Sequence, residues 1–592
     1  MSMLGALVTG AMLASSASSG NYPIDSVWMY GRGSPAAWDT TLARFGAQGG
    51  RTVWVFGSSL VRTNATAIRT AAASKGCLVQ GRHCVDAAMS AATQHGVTVG
   101  DVFTYSVDTQ LSAAALTPCI SDGIGELHLP PGEKGGSTSE FWVAVLPRWE
   151  QQQSCAMKQG GIVDIVLIDM PNALYTPSPN DDLLLLLDAT DRAGMDAIVP
   201  MPAFPHLPPP RTWEIDKLGM TAFLGLVKRT TKDLCIRGGK YHSLKGVYQS
   251  YESPISGSWR TISYETYEHV AGIVHSVAAQ HCPVIDRVDA EPTRRRLQFA
   301  ISPYWDVTRD TGDNITLSES IAGIAAIAAQ PSIDIVAPQE GRGTGKSACY
   351  WPHQANLAVA DVDSNLARYQ HIDGTRSFNA QFYASTTQLF RAARLAIDAA
   401  NTQRAVPMQL WMNLEAFEST TLNLCDGDTD RTNKTRVDRS LMFGAGHVDR
   451  VVSFMWDPYF TCAPHGYDNV SLSDSILEDI RRPIMGTAVL KPPRSVYVGG
   501  WNLCAADASV VVTWEPGPLG AAGRAGARLN ATVPLTDCTV VQPGNGSAVT
   551  SKGSLLLPFE ISSTQEGSYI GLRPSAAGRV SNAEFAVERD ES

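Results

Sequence analysis

Met408-Gln-Leu-Trp-Met-Asn-Leu-Glu415 decides the fold of this 592-residue chain. It is a short apolar run that closes on one acidic residue, the form of a buried strand leaving a parallel sheet. Lys245-Gly-Val-Tyr-Gln-Ser-Tyr-Glu252 has the same form. Outward from these two, further strands are read at Val27–Gly31, Thr52–Phe56, Asp196–Phe204, Leu297–Tyr304, Ile333–Glu340 and Asp449–Trp456. Helical spacing fills the gaps: Pro35–Gln48, with Trp38, Leu42 and Phe45 on one face and Gly49-Gly50 behind, then Asp181–Arg192, Gly219–Lys232, Tyr264–Gln280, Ser318–Ala329 and Thr386–Asn401. Strands alternating with helices in this number predict an α/β fold, a (β/α)8 TIM barrel over residues 21–485. Glu252 then ends the fourth strand and Glu415 the seventh. Residues 60–175 exceed one connection and are read as an elaborated loop region after strand two, in which Ile162–Asp169 competes as a strand. From Gly486 onward, short β-rich runs such as Ser509-Val-Val-Val-Thr-Trp514 predict a C-terminal all-β sandwich domain over 486–592.

A hydrophobic content of 44% with 18% charged residues describes a folded globule. The formal charge of -10 excludes a general nucleic-acid binder, which needs a basic face. Residues 1–20 form an apolar segment running into small residues, the pattern of a signal peptide without its basic start. Six Asn-x-Ser/Thr sequons, at Asn64, Asn314, Asn433, Asn469, Asn530 and Asn545, fit a secreted or luminal glycoprotein. Eleven cysteines without a close Cys-x-x-Cys pair fit scattered disulfides, with Cys77–Cys84 and Cys504–Cys538 as local candidates. The odd count leaves a free thiol or an intermolecular bond. No later stretch is long and apolar enough to span a membrane.

Barrel enzymes gather their chemistry at the C-terminal ends of the strands. A glutamate there can be a mere loop charge, but two that follow long apolar runs are partly desolvated, and their protonation is tunable. Glu252 and Glu415 are therefore the candidate catalytic pair. Tyr251, Trp411 and Asn413 are candidate substrate contacts beside them. Glu340 is the rival carboxylate, and it opens Gly341-Arg-Gly-Thr-Gly-Lys-Ser347. A phosphate-binding loop would need glycine at position 340 and a helix afterwards, whereas Ala-Cys-Tyr-Trp-Pro-His follows. The glycines are read instead as letting main chain approach a substrate, with Gln339, Glu340 and Arg342 lining the cleft. Tyr304, Trp456, Asp457 and Tyr459 follow strands five and eight, where aromatic faces stack on sugars as readily as they fill a core. Trp456 is the expected platform. Histidines lack metal-ligand spacing, Asp426–Asp430 lacks the rest of a calcium loop, and no Gly-x-Ser-x-Gly elbow occurs. No metal or other cofactor is expected.

A glutamate ending strand four and another ending strand seven resemble the layout of clan A retaining glycoside hydrolases. That resemblance implies Glu252 as acid/base and Glu415 as nucleophile. More narrowly, Gly246-Val-Tyr-Gln-Ser-Tyr-Glu252, Asp334-Ile-Val-Ala-Pro-Gln-Glu-Gly341 and Trp411-Met-Asn-Leu-Glu-Ala-Phe417 resemble an uncharacterised glycosidase-like barrel family, domain of unknown function 4434, over Val27–Ile484. Many clan A enzymes carry Asn before the acid/base residue, whereas this chain has Tyr251. The implied function is a secreted glycoside hydrolase cleaving an oligo- or polysaccharide with two glutamates and retention. The alternative is a non-catalytic carbohydrate-binding or cell-surface protein on the same scaffold.

Overall fold

The computed structural model describes residues 22–589 apart from 56–59, 71–77, 80, 95, 97, 106–125, 130–139, 148–161, 171–181, 202–216, 250–251, 257–259, 288–289, 295, 310–314, 420–429, 464–468, 492–493, 505–508, 516–528, 542–549, 558–568, 577–578, 581–584 and 587. The expected leader, Cys77, Tyr251, Asn314, Asn545 and all but Asp430 of the Asp426–Asp430 loop lie outside the described residues.

Eight strands close into a barrel: β1 (Ser26–Met29), β2 (Thr52–Val55), β3 (Asp196–Pro200), β4 (Leu244–Gln249), β5 (Gln298–Ile301), β6 (Ile335–Val336), β7 (Gln409–Glu415) and β8 (Arg450–Phe454). Neighbours in sequence are neighbours in space, and β1 pairs with β8 in parallel through Ser26↔Val452 and Val27↔Ser453. This is the expected TIM barrel. β6 is regular for only two residues because Pro338 has no N–H to give a ladder. Single bridges nonetheless continue the register at the mouth, Pro254↔Tyr304, Tyr304↔Gln339 and Gln339↔Asn413.

The helices pack outside as their spacing requires. α1 (Pro35–Ala47) buries Trp38, Leu42 and Phe45, begins with proline, and is capped by Ser34, whose hydroxyl accepts from Ala37 N. α2 (Asp182–Ala193), α3 (Lys217–Gly238), α4 (Arg260–His281) and α5 (Leu317–Ala328) precede β3, β4, β5 and β6. α6 (Thr386–Asn401) enters through a capping box of Ser385 and Gln388, and α7 (Lys434–Gly444) follows β7.

The barrel interior is filled by aromatic rings. Trp28 of β1 stands 4.9 Å from Trp54 of β2 and 4.5 Å from Tyr248 of β4, and Trp411 of β7 is 5.4 Å from Trp54. The interior is thus a packed core, as in barrels of this type.

The connection after β2 differs from a plain loop. It contains a five-stranded sheet ordered Leu60–Thr63, Thr98–Tyr105, Ile162–Met170, Glu140–Pro147, Glu126–Leu129. Ile162–Met170 is central there, parallel to one neighbour and antiparallel to the other, so it is not a barrel strand.

The C-terminal region forms two mainly antiparallel sheets from β9 (Ile484–Lys491), β10 (Ser495–Trp501), β11 (Ser509–Glu515), β12 (Leu529–Pro534), β13 (Thr536–Val541), β14 (Thr550–Leu556) and β15 (Tyr569–Ala576). Val496, Val498, Val510, Val512 and Leu555 of these sheets join one continuous core with the barrel. The junction lies at the N-terminal end of the barrel, beside a groove lined by Asp25, Arg450, Trp501 and Lys552. Main chain meets main chain there: a Cβ on Gly446 would sit 1.9 Å from the Gly486 carbonyl oxygen. Disulfides Cys235–Cys282 and Cys504–Cys538 join α3 to the end of α4 and tie the C-terminal sheets, while Cys349 is free and buried. Cysteines paired in this way fit an oxidising compartment. Among the described residues, no helix is long and apolar enough to cross a membrane.

Because neither partner of the Gly446 contact is a flexible side chain, Gly446→Ala is expected to cost about 1–3 kcal/mol. Urea unfolding would show this as a lower midpoint, and an unchanged midpoint would mean that the junction yields.

Candidate active site

Alternate residues of a strand share a face, so Trp411, Asn413 and Glu415 of β7 all point inward. The lower two are spent on the barrel itself. The Trp411 ring is buried, carries the Arg450 guanidinium 4.4 Å from its centroid, and gives its N–H to Gln409. Asn413 accepts from Trp28 Nε1 at 3.3 Å and donates to Ser302 Oγ at 2.9 Å, across the barrel. Neither presents a free face to a ligand. Glu415, one step higher, reaches the floor of the mouth.

Glu415 is gripped at both ends by the segment after β6. Arg342 Nη2 donates to the Glu415 carbonyl at 2.6 Å, and the Thr344 amide donates to its Oε2 at 3.2 Å. The Gly343 amide also bonds this carboxyl. Arg342, expected to line a cleft, is fully buried: Nε meets Glu340 Oε1 at 3.1 Å and Ser440 Oγ at 2.8 Å, and Nη1 meets Glu418 Oε1 at 3.5 Å. Glu340 is equally buried and also accepts from Ser440 at 3.2 Å. Arg342 and Glu340 thus build the floor beneath Glu415.

Burial pushes the Glu415 carboxyl up to about 8, the nearby charge of Glu340 pushes the same way, and Arg342 with the two amides opposes. Glu252, three residues beyond the end of β4, is exposed to solvent. Desolvation nevertheless raises its carboxyl above the ordinary value. A hydrogen bond from Gln339 and the charge of Lys346 favour its ionised form. Lys346 lies with Nζ 4.0 Å from the centroid of the Tyr304 ring. Glu252, Gln339, Tyr304 and Glu415 are therefore brought to one mouth, as their strand-end positions predict.

The strand-eight aromatics divide. Trp456 does not open onto the mouth; its ring is buried 5.7 Å from Phe45 of α1 and stacked 5.5 Å from Phe460. This corrects its reading as a platform, because a ring enclosed on both sides has no face for a sugar. Tyr459 joins Phe417 at 5.4 Å and Phe454 at 6.3 Å in an aromatic wall. Asp457 pairs with Arg32 and accepts from Thr461 Oγ1 at 2.7 Å. Lys346, Phe417, Phe454 and the amides of Gly343 and Thr344 were not among the residues singled out from sequence. Lys346 stood within the glycine-rich segment, and Phe417 lies two residues past Glu415.

No protein-family model and no curated protein matches the chain, so the narrower resemblance to the uncharacterised family is not confirmed. Among solved structures, the chain is similar to an endo-β-1,4-mannanase from Thermotoga petrophila, at 8% identity over 97% of this chain and 99% of that one, with a TM-score of 0.33. It is similar also to an endo-1,4-β-mannanase from Rhizomucor miehei, at 8% identity over 78% of this chain and 98% of that one, with a TM-score of 0.33. Likeness at this level assigns no chemistry, and the fold rests on the strand order itself.

The raised carboxyl has a thermodynamic sign. A group whose pKa in the fold, about 8, exceeds its unfolded value stabilises fully below the unfolded value and loses that contribution as pH rises through 8. Glu415→Gln is therefore expected to unfold at a higher temperature than the parent at pH 9 and at nearly the same temperature at pH 4.5. Parallel pH dependences in calorimetry would place the ionised Glu415 at no disadvantage in the fold.

Proposed function

We propose that the chain is a glycoside hydrolase in which Glu252 and Glu415 act as the carboxyl pair. One observation carries the reading: a single segment, Gln339–Ser347, touches both, with Gln339 and Lys346 at Glu252 and with Gly343 and Thr344 at Glu415. Glu252 follows strand four and Glu415 ends strand seven, three strand spacings of about 4.8 Å each around the barrel, an order that supports a meeting of the two carboxyls across its mouth. The amides aimed at Glu415 are useful to an anion, which supports Glu415 as nucleophile. The solvent-facing Glu252 can meet a leaving group and then water, which supports it as acid/base.

Glu252 protonates the glycosidic oxygen as the C–O bond breaks, and a Glu415 oxygen bonds to the anomeric carbon. Water, losing its proton to Glu252, then displaces Glu415 and frees the sugar. The aromatic group of Phe417, Phe454 and Tyr459 supports contact with an apolar sugar face, and Gln339 and Lys346 supply polar partners. Disulfides and sequons support action outside the cytosol on an oligo- or polysaccharide. The competing reading, a glycan-binding protein without turnover, draws on the near-complete burial of Glu415.

The active form of such a pair holds one proton, so its pH profile is a property of the pair. With the upper titration near 8, kcat/KM is expected to fall above pH 8. Glu252→Gln should lower kcat by about 10²–10⁴-fold, and Glu415→Gln should abolish turnover while keeping glycan affinity. Azide should rescue Glu415→Gly with inversion at the anomeric carbon and Glu252→Gly with retention; the opposite outcome reverses the two roles. Failure of the parent protein to turn over any member of a broad glycoside panel, with glycan affinity intact, would establish the binding-protein reading instead.

A further inference from the structure

Gly343 stands where the main chain of the strand-six segment passes closest to Glu415. A Cβ at this position would lie 2.9 Å from both the Cβ and Oε2 of Glu415 and 2.6 Å from the Phe417 carbonyl oxygen. Real Cβ atoms do not approach their neighbours so closely, so any side chain here forces the segment and the glutamate apart. The flanking residues make this approach consequential. Arg342 holds the Glu415 carbonyl at 2.6 Å, and the Thr344 amide holds Oε2 at 3.2 Å. The segment closes on itself through Lys346 N and Ser347 N, which donate to the Gly341 carbonyl at 2.7 and 3.0 Å, with Gly341 at a φ of 77°.

We propose that Gly343 is a positioning residue: its missing side chain lets Arg342, Gly343 and Thr344 close on Glu415 from both ends and fix the direction in which its carboxyl points. Of the three glycines expected to admit a substrate, Gly343 admits the protein's own glutamate. The inference rests on the proposed role of Glu415, and its test does not depend on turnover.

Gly343→Ala should separate the segment from Glu415 and withdraw the two amide donors that favour the ionised carboxyl. The Glu415 titration, followed through carbon-13-labelled glutamate side chains and assigned by the resonance lost in Glu415→Gln, should then move up by about half a pH unit or more. Gly345→Ala disturbs the same segment, because its Cβ would meet the Tyr369 and His371 rings, without touching Glu415. It should leave the titration in place. An unmoved Glu415 titration in Gly343→Ala, or equal shifts in the two variants, would overturn the proposal. Should Gly343→Ala fail to fold, the same substitution is made in Glu415→Gly, where the clash with the glutamate is gone and that with the Phe417 carbonyl remains. Folding there supports the proposal. If it does not fold there either, amide hydrogen exchange decides: faster exchange of the Gly343 and Thr344 amides in Glu415→Gly than in the parent supports the proposal, and unchanged exchange overturns it. If the titration moves as expected and the parent protein hydrolyses no glycoside, the positioning role stands and the proposed function falls.

Discussion

Below the mouth, a single guanidinium faces more carboxylate than it can neutralise. Arg342 is bonded to Glu340, approached by Glu418 and tied to the main chain of Glu415, all out of contact with water. A buried cation of this kind persists only when its donors are used, and the planar fork of arginine permits that on several sides at once. Arg436 adds a second cation to Glu418 and Asp363 at the edge of the cluster, leaving Glu340 to the care of Arg342 and Ser440. The Glu415 side chain accepts from the Gly343 and Thr344 amides, and burial together with the charge of Glu340 outweighs these donors and Arg342, so its carboxyl stays raised.

The frame that makes this arrangement possible is rigid for ordinary reasons. Trp28, Trp54, Tyr248 and Trp411 fill the barrel from wall to wall, so inward-pointing residues above them cannot sink. Residues at the top of the strands therefore project into the mouth, and bridges between Pro254, Tyr304, Gln339 and Asn413 hold their order. The C-terminal sheets join at the other end of the barrel, where Gly446 and Gly486 meet.

The barrel was legible because parallel strands buried on both faces write themselves as apolar runs, and the helices between them carry their own caps. Glu252 and Glu415 were legible as the charged residues that close such runs. What was not legible depended on direction and distance. Strand parity puts Trp411 and Asn413 inside together with Glu415, but only the rings from β1 and β2 show that the interior below is full. Trp456 lies past the end of β8, where the strand period no longer says which way a ring turns, and α1 claims it. Arg342 looked like a cleft residue because its partners Glu418 and Ser440 are far away in the chain. The region after β2 carried strand signals, yet nothing in them distinguished a separate sheet from a barrel strand.

The segment Gln339–Ser347 serves both glutamates at once, and this has a bearing on how the molecule can change by mutation. Substitutions in most loops around a barrel mouth can accumulate one at a time, each altering its own corner. A substitution here reaches Glu252 through Gln339 or Lys346 and Glu415 through Gly343 or Thr344. The two glutamates are thereby inherited as a single trait, and drift at one is constrained by what the other tolerates.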